Sequence, residues 1–133
     1  MRRLILSALL AGAALAPAAA LTTHATAAQP AKGVRACFHS DDIRNFRAVD
    51  DRTVNLLANG HDVFQLKTLG DCPDLKFANS VGVKTVAGDS FVCDSLDIDL
   101  ITPSPVGPRT CNVTGMREMS PQEVAALPKN QQP

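Results

Sequence analysis

His39, His61 and thirteen acidic side chains are the groups in this chain that could move a proton, and four cysteines are the groups that could cross-link or hold a metal. His39 is followed by Ser40, and Asp residues are plentiful, so a Ser/His/Asp set can be assembled on paper. No nucleophile-elbow sequence supports it, so surface placement is the expectation for both histidines. A hydrolase using His39 or His61 stays as an alternative that needs a pocket holding both. His24 falls in the segment expected to be removed on export.

The acidic pairs have structural readings. Asp41-Asp42 follows Ser40 and reads as turn or helix-start chemistry. Asp50-Asp51 precedes a strand and reads as a turn whose carboxylates bond nearby backbone amides. Asp97 and Asp99 are two apart on an expected strand and so would share a face. Asp94-x-x-Asp97-x-Asp99 lacks the loop pattern of a calcium site, so an acidic solvent face is the reading and no metal or cofactor is expected. Asn112-Val113-Thr114 matches a glycosylation sequon but lies in an expected strand and is discounted.

Cys37, Cys72, Cys93 and Cys111 have no close pair; the nearest two are 18 positions apart. That spacing argues against zinc and against a redox dithiol, and for two structural disulfides. Four cysteines allow three pairings, which sequence alone does not separate. Expected topology favours Cys72–Cys93, pinning a turn to the sheet, and Cys37–Cys111, tying the two ends of the domain.

The chain begins as an export signal. Arg2 and Arg3 form a basic start, Leu4 to Leu21 an apolar run, and Ala25-Thr26-Ala27 a small-residue cleavage site, with Ala18-Ala19-Ala20 before Leu21 as the alternative. Gly12 and Pro17 interrupt the run, which argues against a retained membrane anchor. The expected division is 1–27 signal peptide, 28–34 flexible arm, 35–128 disulfide-bonded β domain and 129–133 disordered tail. Periplasmic or secreted localisation through a Sec-type signal follows. Without Arg2 and Arg3, 11 basic residues face 13 acidic ones, a charge near −2. No basic patch invites nucleic acid or an anionic membrane. With no Trp and no Tyr, the usual aromatic anchors of sugar sites are missing.

Short apolar runs between turn signals read as mainly β, with one short C-terminal helix. Asn59-Gly60 separates Arg52–Ala58 from Asp62–Leu69. An odd-length loop with Gly60 left-handed places Val54, Leu56, Phe64 and Leu66 on one face, with Asn55, Gln65 and Lys67 on the other. A second hairpin is expected from Ser80–Ala87 to Phe91–Ile101, with a bulge near Asp94-Ser95. Cys72-Pro73-Asp74-Leu75 reads as a turn. Pro103 to Arg109 is a proline-stiffened loop, and Gly115 marks a bulge in the last strand. Ser120-Pro121-Gln122-Glu123 is a capping box that Pro128 later ends. Five to six antiparallel strands would form a small, partly open barrel, or else a compact sandwich.

Several of these marks occur together in a known family. Cys37-Phe38, Ile43-Arg44, Val49-Asp50-Asp51-Arg52-Thr53-Val54, Gly60, Phe64, Cys72-Pro73-Asp74-Leu75 and Phe91-Val92-Cys93 stand in its order. Cys111 before the Ser120-Pro121 helix fits its longer members. The chain thus resembles a family of small exported bacterial proteins of unknown function; Phe77 to Val86 agrees only in spacing. The resemblance implies a periplasmic, disulfide-bonded β domain and carries over no catalytic residue. The functional expectation is a non-enzymatic binding or structural module of the cell envelope, its partner an unknown envelope protein or small ligand. Its candidate surface is Asp50, Asp51, His61, Asp97, Asp99, Pro103 and Arg109. The alternative to the hydrolase is a protease inhibitor presenting loop 103–109.

Overall fold

A computed structural model describes residues 36–133. The expected signal peptide over 1–27 and arm over 28–34 lie outside the described residues. The strands are β1 (Phe38–His39), β2 (Asn45–Ala48), β3 (Thr53–Ala58), β4 (Asp62–Thr68), β5 (Gly82–Thr85), β6 (Phe91–Val92), β7 (Ile98–Thr102) and β8 (Arg109–Glu118). One helix, α1 (Pro121–Ala126), follows. Six strands make a curled antiparallel sheet in the order β2-β3-β4-β8-β7-β5, half of a barrel, and β1 with β6 makes a separate two-stranded ribbon. The mainly β reading and the partly open barrel hold; the sandwich does not.

The β3–β4 hairpin follows the odd-loop argument. Val54 faces Leu66, Leu56 faces Phe64 and Ala58 faces Asp62, leaving Asn59, Gly60 and His61 as the loop. Gly60 has φ 83° and Asn59 φ 51°. Both conformations are left-handed, which glycine adopts without steric cost and asparagine more easily than most residues. Val54, Leu56, Phe64 and Leu66 are fully buried. Burying each is worth about 1.5–3 kcal/mol, enough to hold the register against a one-residue slip. The bulge at Gly115 also holds: β8 pairs Gly115 with Lys67 but Val113 with Thr68, so Thr114 is the extra residue.

The second hairpin is a correction. β5 pairs with β7, not with the Phe91 segment: Val83 faces Leu100 and Thr85 faces Ile98. The chain between them leaves the sheet, and Phe91-Val92 pairs antiparallel with Phe38-His39. The expected bulge near Asp94 is instead a 3-10 turn, Ser95–Asp97, with a reciprocal capping box. The Asp97 carboxylate accepts the amides of Cys93 and Asp94 at 2.9 and 2.8 Å. That turn produces the change of apolar phase.

The disulfide pairing is corrected for the same reason. With Phe38 opposite Val92, the next residues outward are Cys37 and Cys93, and they are bonded, Cα–Cα 4.3 Å. Cys72 is bonded to Cys111, Cα–Cα 5.8 Å. Beyond β4 the chain stays alongside β8, since the Leu69 amide donates to the Asn112 carbonyl at 2.9 Å. The Cys72 amide donates to the Asp51 carbonyl at 2.7 Å. Each disulfide therefore fastens an appendage to its neighbour: one closes the β1–β6 ribbon, the other holds the post-β4 turn against β8.

Phe38 and Val92 of the ribbon join Val54, Leu56, Phe64, Leu66, Leu75, Ile98 and Leu100 in one core. The Phe38 and Phe64 rings are 4.6 Å apart. The ribbon thus supplies side chains to the sheet's inner face. At the β2 edge, the Phe46 amide donates to Asn45 Oδ1 and the Phe46 carbonyl accepts from Arg47 Nη1, both at 2.9 Å. Local side chains so occupy backbone groups that could otherwise recruit a foreign strand.

The outer face of the sheet carries a polar row. Asn55, Gln65 and Arg117 are cross-strand neighbours. Gln65 Nε2 donates to Asn55 Oδ1 at 3.1 Å and Arg117 Nε to Gln65 Oε1 at 3.3 Å. Arg117 Nη1 reaches Glu123 Oε1 at 2.9 Å, and the expected capping box joins Ser120 and Glu123. Asn55 is fully buried because the C-terminal turn lies over it, its amide donating to the Gln131 carbonyl at 2.9 Å.

Candidate functional site

The strand directions place four of the seven surface candidates at one end of the sheet. The turn before β3, the exit of β4, and the loop joining β7 to β8 all lie there. Asp50, Asp51, Pro103 and Arg109 belong to this end. The other three do not. His61 is at the tip of the β3–β4 hairpin. Asp97 is consumed by the cap described above and, sitting in a turn, does not share a strand face with Asp99, which corrects the expectation. Asp99 is on the outer face of β7, accepting from Asn112 Nδ2 at 3.1 Å.

The proline loop folds back on itself. The Gly107 amide donates to the Ser104 carbonyl at 3.0 Å, and Ser104 Oγ donates to the Gly107 carbonyl at 2.6 Å. Gly107 has φ 117°, a backbone angle glycine supplies without strain. Pro105 and Val106 form the corner, and Val106 is 90% exposed. Behind the loop, Cys72 is buried with its sulfur 3.7 Å from Thr102 Oγ1. A hollow of about 410 Å³ on one side is lined by Phe77, Ala78, Pro103 and Pro105, among others. A second, of about 430 Å³, lies between Leu69–Asp71 and Arg109–Asn112.

Three large apolar side chains stand out at this end: Leu69, Phe77 and Val106, 76%, 80% and 90% exposed. Sequence reasoning missed all three. Leu69 reads as the last residue of a strand but lies one past the end of β4. Phe77 follows the turn at Cys72 and reads as neither strand nor loop. Val106 is hidden among prolines. For Leu69 and Val106 the available signal is an apolar residue beside turn formers, Gly70 in one case and Pro105 with Gly107 in the other; Phe77, two residues after Leu75, carries no such mark.

Two of the carboxylates around them have local partners. The Asp50 carboxylate accepts the Arg52 amide at 2.8 Å, the turn chemistry expected of that pair. Arg52 Nε donates to Asp71, which holds the Asp71 carboxyl below the usual carboxylate range and raises the Arg52 guanidinium. Glu123 is likewise held low, first by the Ser120 backbone amide, then by the Ser120 hydroxyl and Arg117. A carboxyl depressed in the folded state stabilises it above the unfolded-state pKa, and that contribution disappears as pH falls through the native value. Stability should therefore be level from pH 7 to 5 and fall below about pH 4. Glu123→Gln should flatten part of that fall in urea titrations. Parallel acid limbs for parent and variant would contradict this assignment.

The histidines do not form a joint site. The His39 ring packs 4.8 Å from Phe91, while His61 Nε2 lies 3.1 Å from Asp62 Oδ1 with its side chain 84% exposed. Among the described residues, no hydroxyl or thiol is hydrogen-bonded to either imidazole, and no three His, Cys, Asp or Glu side chains converge as metal ligands. No helix among them is long and apolar enough to cross a membrane.

Residues 36–133 therefore form a half-barrel β domain fastened by two disulfides, with an apolar rim around a stiff loop at one end. Over residues 1–133 the chain belongs to the family of unknown function DUF6491. No curated protein and no solved structure matches it.

Proposed function

We propose that this protein is an exported, non-enzymatic binding module of the bacterial cell envelope that engages an envelope protein through the rim of Leu69, Phe77 and Val106. The observation that carries this reading is the exposure of those three side chains at one end of the sheet. Exposed apolar surface rimmed by polar groups marks contact sites. Asp50, Asp51, Arg52, Asp71 and Arg109 supply such groups. The Cys72–Cys111 bond and the self-closed proline turn limit the motion a partner would have to freeze, which reduces the entropy lost on binding. Two disulfides suit an oxidising compartment, periplasmic or secreted, and the Arg2-Arg3 start with its apolar run supplies the route there.

The protease-inhibitor reading shares the loop and has Val106 at its corner in its favour. It differs in requiring that an excess of the protein protect a protease in vitro. The hydrolase reading draws no support from two histidines engaged separately.

Leu69→Ser, Phe77→Ser and Val106→Ser together should leave folding stability within about 0.5 kcal/mol per site, because none is buried. The same triple variant should lose its crosslinked partners when envelopes are treated with a mild crosslinker. Identical crosslinked species from parent and variant, or monomer alone from both, would count against the reading.

A further inference from the structure

The C-terminal segment is held to the sheet in an unusual way. α1 has six residues and no buried side chain. Isolated helices that short do not persist in water, so α1 depends on its docking. Its fastenings are few and mostly polar: Arg117 to Glu123, Asn55 to the Gln131 carbonyl, and the Met119 amide to the Val63 carbonyl at 2.8 Å where the chain leaves β8. The remaining hydrogen bonds of the segment are internal, such as Leu127 to Val124 and Gln131 to Pro128. None of them belongs to the strand ladder, so lifting residues 120–133 leaves every strand paired.

What lies beneath is built for a peptide. Asn55 is fully buried on the outer face, an unusual place for an amide, and it reads a backbone carbonyl. Gln65 orients it from the neighbouring strand. Arg117 reads a carboxylate, and buried Val63 gives an apolar floor. A groove of about 310 Å³ has His61, Asp62 and Val63 on one wall and Pro121, Val124 and Gln132 on the other. Its second wall is the segment itself.

We propose that residues 120–133 are a detachable strap, and that the outer face of β3, β4 and the end of β8 is a peptide-binding groove occupied at rest by the chain's own C-terminal segment. Opening exposes Asn55 and Val63 and frees the already exposed Arg117 from Glu123. The groove then selects a short segment offering a carboxylate to Arg117 and a backbone carbonyl to Asn55, the two groups the strap presents. This face is distinct from the proline-loop rim, and the two proposals stand or fall separately.

Hydrogen exchange of the full chain, with binding of a labelled peptide of residues 119–133, tests it. Amides of Val124, Leu127 and Gln131 should exchange at least about tenfold faster than the ladder amides of β3 and β4. Arg117→Ala lies on the sheet and should speed strap exchange about two- to threefold, as expected for an exposed ion pair, without changing the ladder. Ser120→Ala weakens only the strap and should open it about fivefold more often. It should raise apparent peptide affinity by a similar factor, because the competent fraction rises. Arg117→Ala should instead lower that affinity in the Ser120→Ala background. Strap amides exchanging together with the ladder, or no saturable peptide binding to the Ser120→Ala chain, would overturn the proposal.

Discussion

Replacing Cys72 and Cys111 together by alanine is expected to lower the unfolding free energy by about 4 kcal/mol, read as a fall in the urea midpoint under non-reducing conditions. The bond joins residues 39 apart. In the chain-entropy model a loop of that length restricts the unfolded chain by roughly that amount. Cys72 is fully buried and Cys111 nearly so, so the substitution also removes packed sulfur from the core. A single domain of this size has only about 5–15 kcal/mol in total, so the variant should unfold at markedly lower urea or fail to accumulate. An unchanged midpoint would show that the Asp51 and Asn112 backbone bonds alone hold the post-β4 turn.

Phe38→Ala is expected to cost about 3–5 kcal/mol, the range for deleting a fully buried phenylalanine. Phe38 is one of two residues in β1 and packs its ring on Phe64 in β4. It is therefore the main apolar tie between the ribbon and the sheet. With the Cys37–Cys93 bond intact, the ribbon should stay closed on itself but pack less firmly. The measurement is the midpoint of urea unfolding, with hydrogen exchange at the Phe38 and Phe91 neighbourhood as a second readout. A loss below about 1 kcal/mol would mean that the ribbon contributes little to the core.

What the sequence made legible and what it hid divide along contact range. The β3–β4 register was accessible because two adjacent strands share one short loop and only one register buries Val54, Leu56, Phe64 and Leu66. The Ser120–Glu123 capping box and the Gly115 bulge were accessible because each is decided within a few residues. The partner of Phe91-Val92 was not. Any short apolar pair would read equally well as its neighbour, and only the whole sheet shows that β1 is available. Once that pairing is misread, the disulfides follow it into the wrong arrangement, since Cys37 and Cys93 flank the two strands of the ribbon. Asn55 illustrates a second limit. On a strand of alternating residues it reads as solvent-facing, and nothing local says that a turn 76 residues later covers it. The proline loop was located correctly, but its functional interest lies in Val106 and in the exposed Leu69 and Phe77 nearby, which no periodicity marks.

Disulfide mapping tests the framework most directly, because the placement of both the ribbon and the proline-loop end depends on it. Trypsin cleaves after Arg44, Lys67, Lys76, Lys84 and Arg109, so each of the four cysteines falls in a different peptide. Mass spectrometry of the non-reduced digest should show the Cys37 peptide joined to the Cys93 peptide and the Cys72 peptide joined to the Cys111 peptide. Peptides joined as Cys72 with Cys93 and Cys37 with Cys111 would contradict the ribbon pairing and, with it, the surface on which the proposed function rests.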